Sequence, residues 1–80
     1  MADFKYKITE EIAVLSKNEK GYSKELNMVS YNDADAKFDI RTWYEDEDGN
    51  KKLQKGITLN DEECENLYNA LKDIAEEKGW

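Results

Sequence analysis

The sequence predicts an α+β domain in which a four-stranded antiparallel meander is followed by one C-terminal helix, a ββββα order. Three observations carry this. Residues 1–59 show apolar and polar residues alternating in runs of strand length, with aromatic and β-branched side chains prominent. The runs are separated by clusters of Gly, Asn and Asp in a chain that has no proline. From Asn60 the apolar spacing changes to three and four, the stripe of an amphipathic helix. Eighty residues suffice for one domain, 1–80.

The first strand is expected over about residues 4–16. Phe4, Tyr6 and Ile8 alternate with Lys5, Lys7 and Thr9, and the same parity resumes at Ile12 and Val14, which implies a bend or bulge near Glu10 and Glu11. The second, about 22–32, lacks clean alternation, so both faces are partly covered or a bulge resets its register. The third, about 37–45, sets Phe38, Ile40 and Tyr44 against Lys37, Asp39, Arg41 and Trp43. The fourth, about 52–59, puts Leu53, Ile57 and Leu59 on one parity around Gly56. Short connections favour antiparallel neighbours. The helix, about 61–78, carries Cys64, Leu67, Tyr68, Leu71, Ile74 and Ala75 on its stripe. Asn60 is its N-cap, with Glu63 completing a capping box, and Lys78 and Gly79 suit its end.

Composition excludes several function classes. Charged residues make up 39% of the chain, but nine aromatics argue against disorder. With no histidine and one cysteine, Cys64, the chain lacks the commonest general base, a thiolate metal cluster and an intrachain disulfide. The run Glu45–Asn50 fails the calcium-loop pattern, since Lys51 and Ile57 fall where glycine and a bidentate glutamate are required. No enzyme, metal or cofactor is expected. The apolar runs are too short for a membrane span, and Met1–Glu11 has no signal-peptide core, so a cytoplasmic protein, nucleoid-associated at most, is expected.

The net charge of −7 is unevenly placed: residues 60–80 hold −5 and residues 45–48 hold −4, which leaves the rest at +2. On the strands, Lys37, Arg41 and Trp43 share a face around Asp39. Lys52 and Lys55 follow on the fourth strand, Lys5 and Lys7 stand on the first, and Lys24 on the second is near Tyr22 and Tyr31. Cations interleaved with aromatics suit single-stranded nucleic acid, where charges follow phosphates and rings stack on unpaired bases. The alternative is an ordinary solvated face, with Arg41 paired to Asp39 and Trp43 packed as core.

Lys24–Asn32, then Phe38–Trp43, then Lys55–Asn60 leading into the helix closely resemble the positive cofactor four (PC-four-like transcriptional coactivator) family, most of all its small bacterial YdbC-type members. The similarity covers about residues 4–75. The resemblance implies a symmetric homodimer and single-stranded DNA binding (single-stranded RNA being a further candidate) with little sequence preference, in DNA transactions or transcription regulation. By position, Arg41 matches the family's strand arginine, Trp43 and Tyr44 its aromatic pair, Lys55 the lysine before the family glycine, and Asn60 the asparagine after Ile57-Thr58-Leu59. The expected nucleic-acid contacts are therefore Lys24, Asn27, Tyr31, Lys37, Arg41, Trp43, Tyr44, Lys52, Lys55 and Asn60. The expected dimer interface is Leu67, Tyr68, Leu71, Ile74 and Ala75, because one helix cannot cover a sheet of this length. The acids 45–48, and Met28 where many relatives carry a basic residue, work against phosphate. The rival expectation is a protein-interaction adaptor using the exposed sheet face or the acidic helix.

Overall fold

Turn chemistry sets the chain's reversals. In the computed structural model, which describes residues 5–80, β1 (Tyr6–Lys17), β2 (Tyr22–Tyr31), β3 (Lys37–Glu45) and β4 (Lys51–Leu59) precede α1 (Asp61–Lys78). The Asn18 side chain accepts from the Lys20 and Tyr22 amides, and Gly21 takes φ +94° where a Cβ would stand 2.7 Å from the Glu45 carbonyl. Asn32 and Asp33 adopt φ 52° and 65°, a region these two residues tolerate better than most. The Asp46 side chain accepts from the Asp48 and Asn50 amides and closes the acidic hairpin. The helix begins with the expected capping box: Asn60 Oδ1 accepts from the Glu63 amide and Glu63 Oε1 accepts from the Asn60 amide, each at 2.8 Å. It ends at Gly79 in the left-handed region. Phe4, expected to open the first strand, lies outside the described residues.

The sheet order is β1-β2-β3-β4, antiparallel throughout. The interior β2–β3 ladder has no register shift, whereas β1 carries three extra residues, Thr9, Ile12 and Leu15. The residues of β1 that share a face are consequently Tyr6, Ile8, Glu11, Val14 and Lys17, a spacing of three after Ile8. The bulge expected near Glu10 and Glu11 is present, on both sides of the pair, a further one lies at Leu15, and Ile12 does not keep the parity expected of it. β4 also departs from simple parity. Its bulge lies between the Arg41–Gly56 and Trp43–Leu53 pairs, so Leu53 shares a face with Trp43 and Ile57 shares the opposite face with Ile40. Leu53 and Ile57, expected together, are separated by that extra residue.

Bulges add local twist, and the sheet coils until diagonally opposite corners meet. Tyr6 lies beside Tyr31 at one end of β1, and Lys51 lies beside Glu45 at the far end of β4. Yet the Tyr6 hydroxyl donates to the Lys51 carbonyl at 3.0 Å, and its ring is 5.7 Å from that of Trp43. The inside of this coil holds the buried residues Glu25, Asn27, Val29, Asp39 and Trp43. The outer face carries Leu26, Met28, Phe38, Ile40 and Leu59, all half-buried, and α1 touches it only along β3 and β4. No residue of α1 is fully buried. The radius of gyration is 14.5 Å, against about 12 Å for a compact globule of this length.

Gly56 is required by the coil. A Cβ there would overlap the Arg41 Cβ and stand 2.5 Å from the Ile40 carbonyl. Gly56→Ala is therefore expected to destabilise the fold by about 3 kcal/mol, the upper end of overpacking costs, read as a lowered urea midpoint with the slope preserved. An unchanged midpoint would show that β4 does not pack this tightly on β3.

Candidate nucleic-acid interface

Two polar clusters line the inside of the coil. Opposed pairing of β2 with β3 puts Glu25 beside Arg41 and Asn27 beside Asp39, and the pairing of β3 with β4 adds Thr58 next to Asp39. Asp39, wholly buried, accepts from Arg41 Nε at 2.7 Å and Nη2 at 2.8 Å, from the Tyr31 hydroxyl at 2.7 Å and from Thr58 Oγ1 at 3.3 Å. Arg41 Nη1 donates to the Gln54 carbonyl at 2.9 Å, and the guanidinium lies over the Tyr31 ring, 5.5 Å from its centroid. Burial, then the bond to Asp39, pushes the Tyr31 phenol well above its ordinary pKa. In the second cluster, Glu25 accepts from Ser23 Oγ at 2.6 Å, Asn27 Nδ2 at 3.1 Å and Lys51 Nζ at 2.8 and 3.0 Å. Burial works against this carboxylate, but the bonds from Lys51, Ser23 and Asn27 prevail and hold its pKa below the usual range. A depressed carboxylate contributes stability above its unfolded pKa, and that contribution is lost as pH falls through the folded value.

The outer face is different. Away from the helix, Tyr22 and Tyr44 are cross-strand partners whose rings sit 5.0 Å apart at 43°. Lys24 pairs with Thr42 on the same parity, and Lys52 pairs with Tyr44 from β4. Tyr22, Lys24 and Lys52 are exposed, and a shallow depression runs beside them along Ser16, Lys17, Asn18 and Thr42. Lys52 Nζ comes no nearer than 3.8 Å to Asp46, a surface pair of little strength. Two rings with flanking ammonium groups offer stacking surface and mobile charge.

The structure thus divides the sequence-predicted contacts into three groups. Lys24, Tyr44 and Lys52 come together on the outer face. Asn27, Tyr31, Arg41 and Trp43 belong to the inside of the coil: Asn27 and Trp43 are 1% exposed, and the Arg41 side chain is 11% exposed with its charge met by Asp39. For these four, contact with a strand would require the coil to open. Lys37, Lys55 and Asn60 are exposed but stand apart, Lys37 opening β3, Lys55 beside the β4 bulge, and Asn60 with its side chain committed to the helix cap. Of the expected dimer residues, Tyr68, Leu71 and Ile74 are 62%, 47% and 40% exposed, and Leu67 and Ala75 are half-buried. Tyr22, a member of the outer pair, was absent from the expected contacts. Its shared parity with Tyr44 across two turn-flanked strand ends is the sequence signal that finds it.

The fold and the site define a class: a single coiled antiparallel sheet, backed by one helix, that offers aromatic and basic side chains from its strands. Residues 18–70 match the family described as Transcriptional Coactivator p15 (PC4), and the chain belongs to that family. An uncharacterized protein of Treponema pallidum (strain Nichols) is 36% identical over 73 residues, spanning 91% of this chain and 82% of that one. Membership supports a nucleic-acid partner and a transcription-related role.

Proposed function

We propose that the chain is a homodimeric single-stranded-DNA-binding protein of low sequence specificity that acts in transcription or another DNA transaction. The observation that carries this reading is the Tyr22–Tyr44 pair, Tyr22 exposed and Tyr44 half-buried, on the outer face between Lys24 and Lys52, in a chain of this family. Unpaired bases would stack on the rings, each contributing on the order of 1–3 kcal/mol whatever its identity. The lysines would displace counterions from the phosphates, which makes binding salt-sensitive. A duplex, whose bases already stack on one another, gains nothing from the rings. Dimerisation rests on the half-covered outer face, the unburied helix and the extended radius of gyration. The interior residues Asn27, Tyr31, Arg41 and Trp43 then act by holding the curvature over which the outer face is displayed, Asn60 by starting the helix, and the exposed Lys37 and Lys55 add positive charge away from the rings.

Titrating labelled oligo-dT across a salt series tests the assignment. Tyr44→Ala is expected to lose about 1–3 kcal/mol of binding with the fold intact. Lys24→Glu and Lys52→Glu should each weaken binding at low salt and flatten the salt slope by about 0.7 per lost phosphate contact. Lys72→Glu on the helix should leave both unchanged. A folded Tyr44→Ala protein with wild-type affinity would remove the stacking role, and equal effects at all three lysines would reduce the site to general charge.

A further inference from the structure

Trp80 is the most exposed large hydrophobic residue among those described, 76% accessible, yet its backbone is fixed. Its amide donates to the Ala75 carbonyl at 3.0 Å through the left-handed turn at Gly79, and Lys78 Nζ lies 5.8 Å from the centre of its ring. At the other end of the same helix, an open groove lined by Phe38, Asp61, Cys64, Glu65 and Tyr68 separates α1 from β3. Within one chain the two cannot meet: even Tyr68, the nearest of the groove's helical residues, lies roughly 18 Å from Trp80 along the axis.

An antiparallel two-fold arrangement of helices brings them together. With Leu71 on the axis, every residue faces one whose number complements its own, and Trp80 stands level with residues 61–64 of the other copy. Charge favours the same alignment. The first half of α1 carries Asp61, Glu62, Glu63 and Glu65 without a base, a charge of −4, whereas in the second half Lys72 and Lys78 offset all but one of the charges of Asp73, Glu76 and Glu77. Antiparallel pairing sets the half of charge −1 against the half of charge −4, whereas parallel pairing would set the two −4 halves against each other, the more repulsive arrangement. We infer that the groove of Phe38, Cys64 and Tyr68 receives the partner's Trp80, with the partner's Lys78 resting against Asp61 and Glu65. The occupant is a second copy of this chain. This inference rests on the dimer proposed above and adds its orientation and its anchor.

The experiment uses the full chain in two forms. Sedimentation equilibrium compares the unaltered protein with Trp80→Ala, whose exposed side chain can be removed without disturbing the monomer. Each dimer loses two anchors, so the dissociation constant is expected to rise by about a thousandfold, roughly thirtyfold for each buried tryptophan. Separately, Trp80→Cys is oxidised mildly beside the native Cys64. A disulfide needs Cα atoms within about 7 Å, and sixteen residues of rise hold the two thiols of one chain roughly 24 Å apart. The bridge can therefore form only between copies. A covalent dimer that disappears in Trp80→Cys with Cys64→Ser is the expected result. A dimeric unaltered protein whose dissociation constant is unmoved by Trp80→Ala, and which gives no Cys64-dependent bridge, overturns the docking while leaving the dimer standing. A monomeric unaltered protein overturns the dimer itself.

Discussion

Trp43→Ala is expected to cost about 3–5 kcal/mol of folding stability, which for a domain of this size lowers the melting temperature by roughly 15–30 °C. The ring fills the inside of the coil against Tyr6, and its removal leaves a cavity where the two sheet corners close. Trp43→Phe should differ sharply. The indole Nε1–H is buried with no hydrogen-bond partner among the described residues, so the smaller ring gives up packing but also removes a donor whose burial costs about 1–3 kcal/mol. A net change within about 1 kcal/mol is expected. Urea denaturation of both variants, with oligo-dT affinity measured where each is folded, checks the assignment. A fully stable Trp43→Ala protein that has lost affinity would place Trp43 in the binding surface instead.

Asp39→Ala should be comparably severe, at about 3–5 kcal/mol. The carboxylate accepts four hydrogen bonds and meets the charge of a guanidinium that is largely out of water. Removing it strands Arg41. Replacing both members, Asp39→Leu with Arg41→Met, should recover much of the loss, because an apolar pair carries no desolvation penalty. Chemical denaturation of the single and double variants reads the coupling directly. The double variant also bears on function: with the fold restored, its affinity for oligo-dT should match that of the unaltered protein. A large drop with a flattened salt slope would make Arg41 a phosphate ligand.

The order of elements was legible because its signals are local. Period two, the Gly, Asn and Asp turns and the Asn60–Glu63 capping box each need only a few neighbouring residues, and strand ends fall within two residues of expectation among the described residues. The parity of β3 was also legible, with Lys37, Asp39, Arg41 and Trp43 on one face. What parity cannot say is whether that face meets water. Charged residues normally mark the solvated side, and here they line the inside, because three bulges in β1 and one in β4 coil the sheet over them. Bulges leave only a partial trace in a hydrophobic pattern: the interruption at Glu10 and Glu11 betrayed one in β1, but not its recurrence every third residue, nor the one in β4. The site followed from the same limit. Lys24, Tyr44 and Lys52 were named and Tyr22 was noted beside Lys24, and the cross-strand register brings the four together.

The distribution of bulges has a consequence for behaviour at high concentration. A flat strand with unpaired amides and carbonyls is a template for another chain, and a meander leaves two such strands. In this protein the one ladder without a register shift lies between the two interior strands, β2 and β3, and both outer strands are interrupted. Along β1 the extra residues recur every third position, so no stretch of its free edge offers an unbroken ladder, even though Ile12, Val14 and Leu15 are exposed there. On β4 the break comes at Gln54 and Lys55, the latter adding charge. The distortion that curls the sheet also denies fibril-like stacking a straight edge on which to begin.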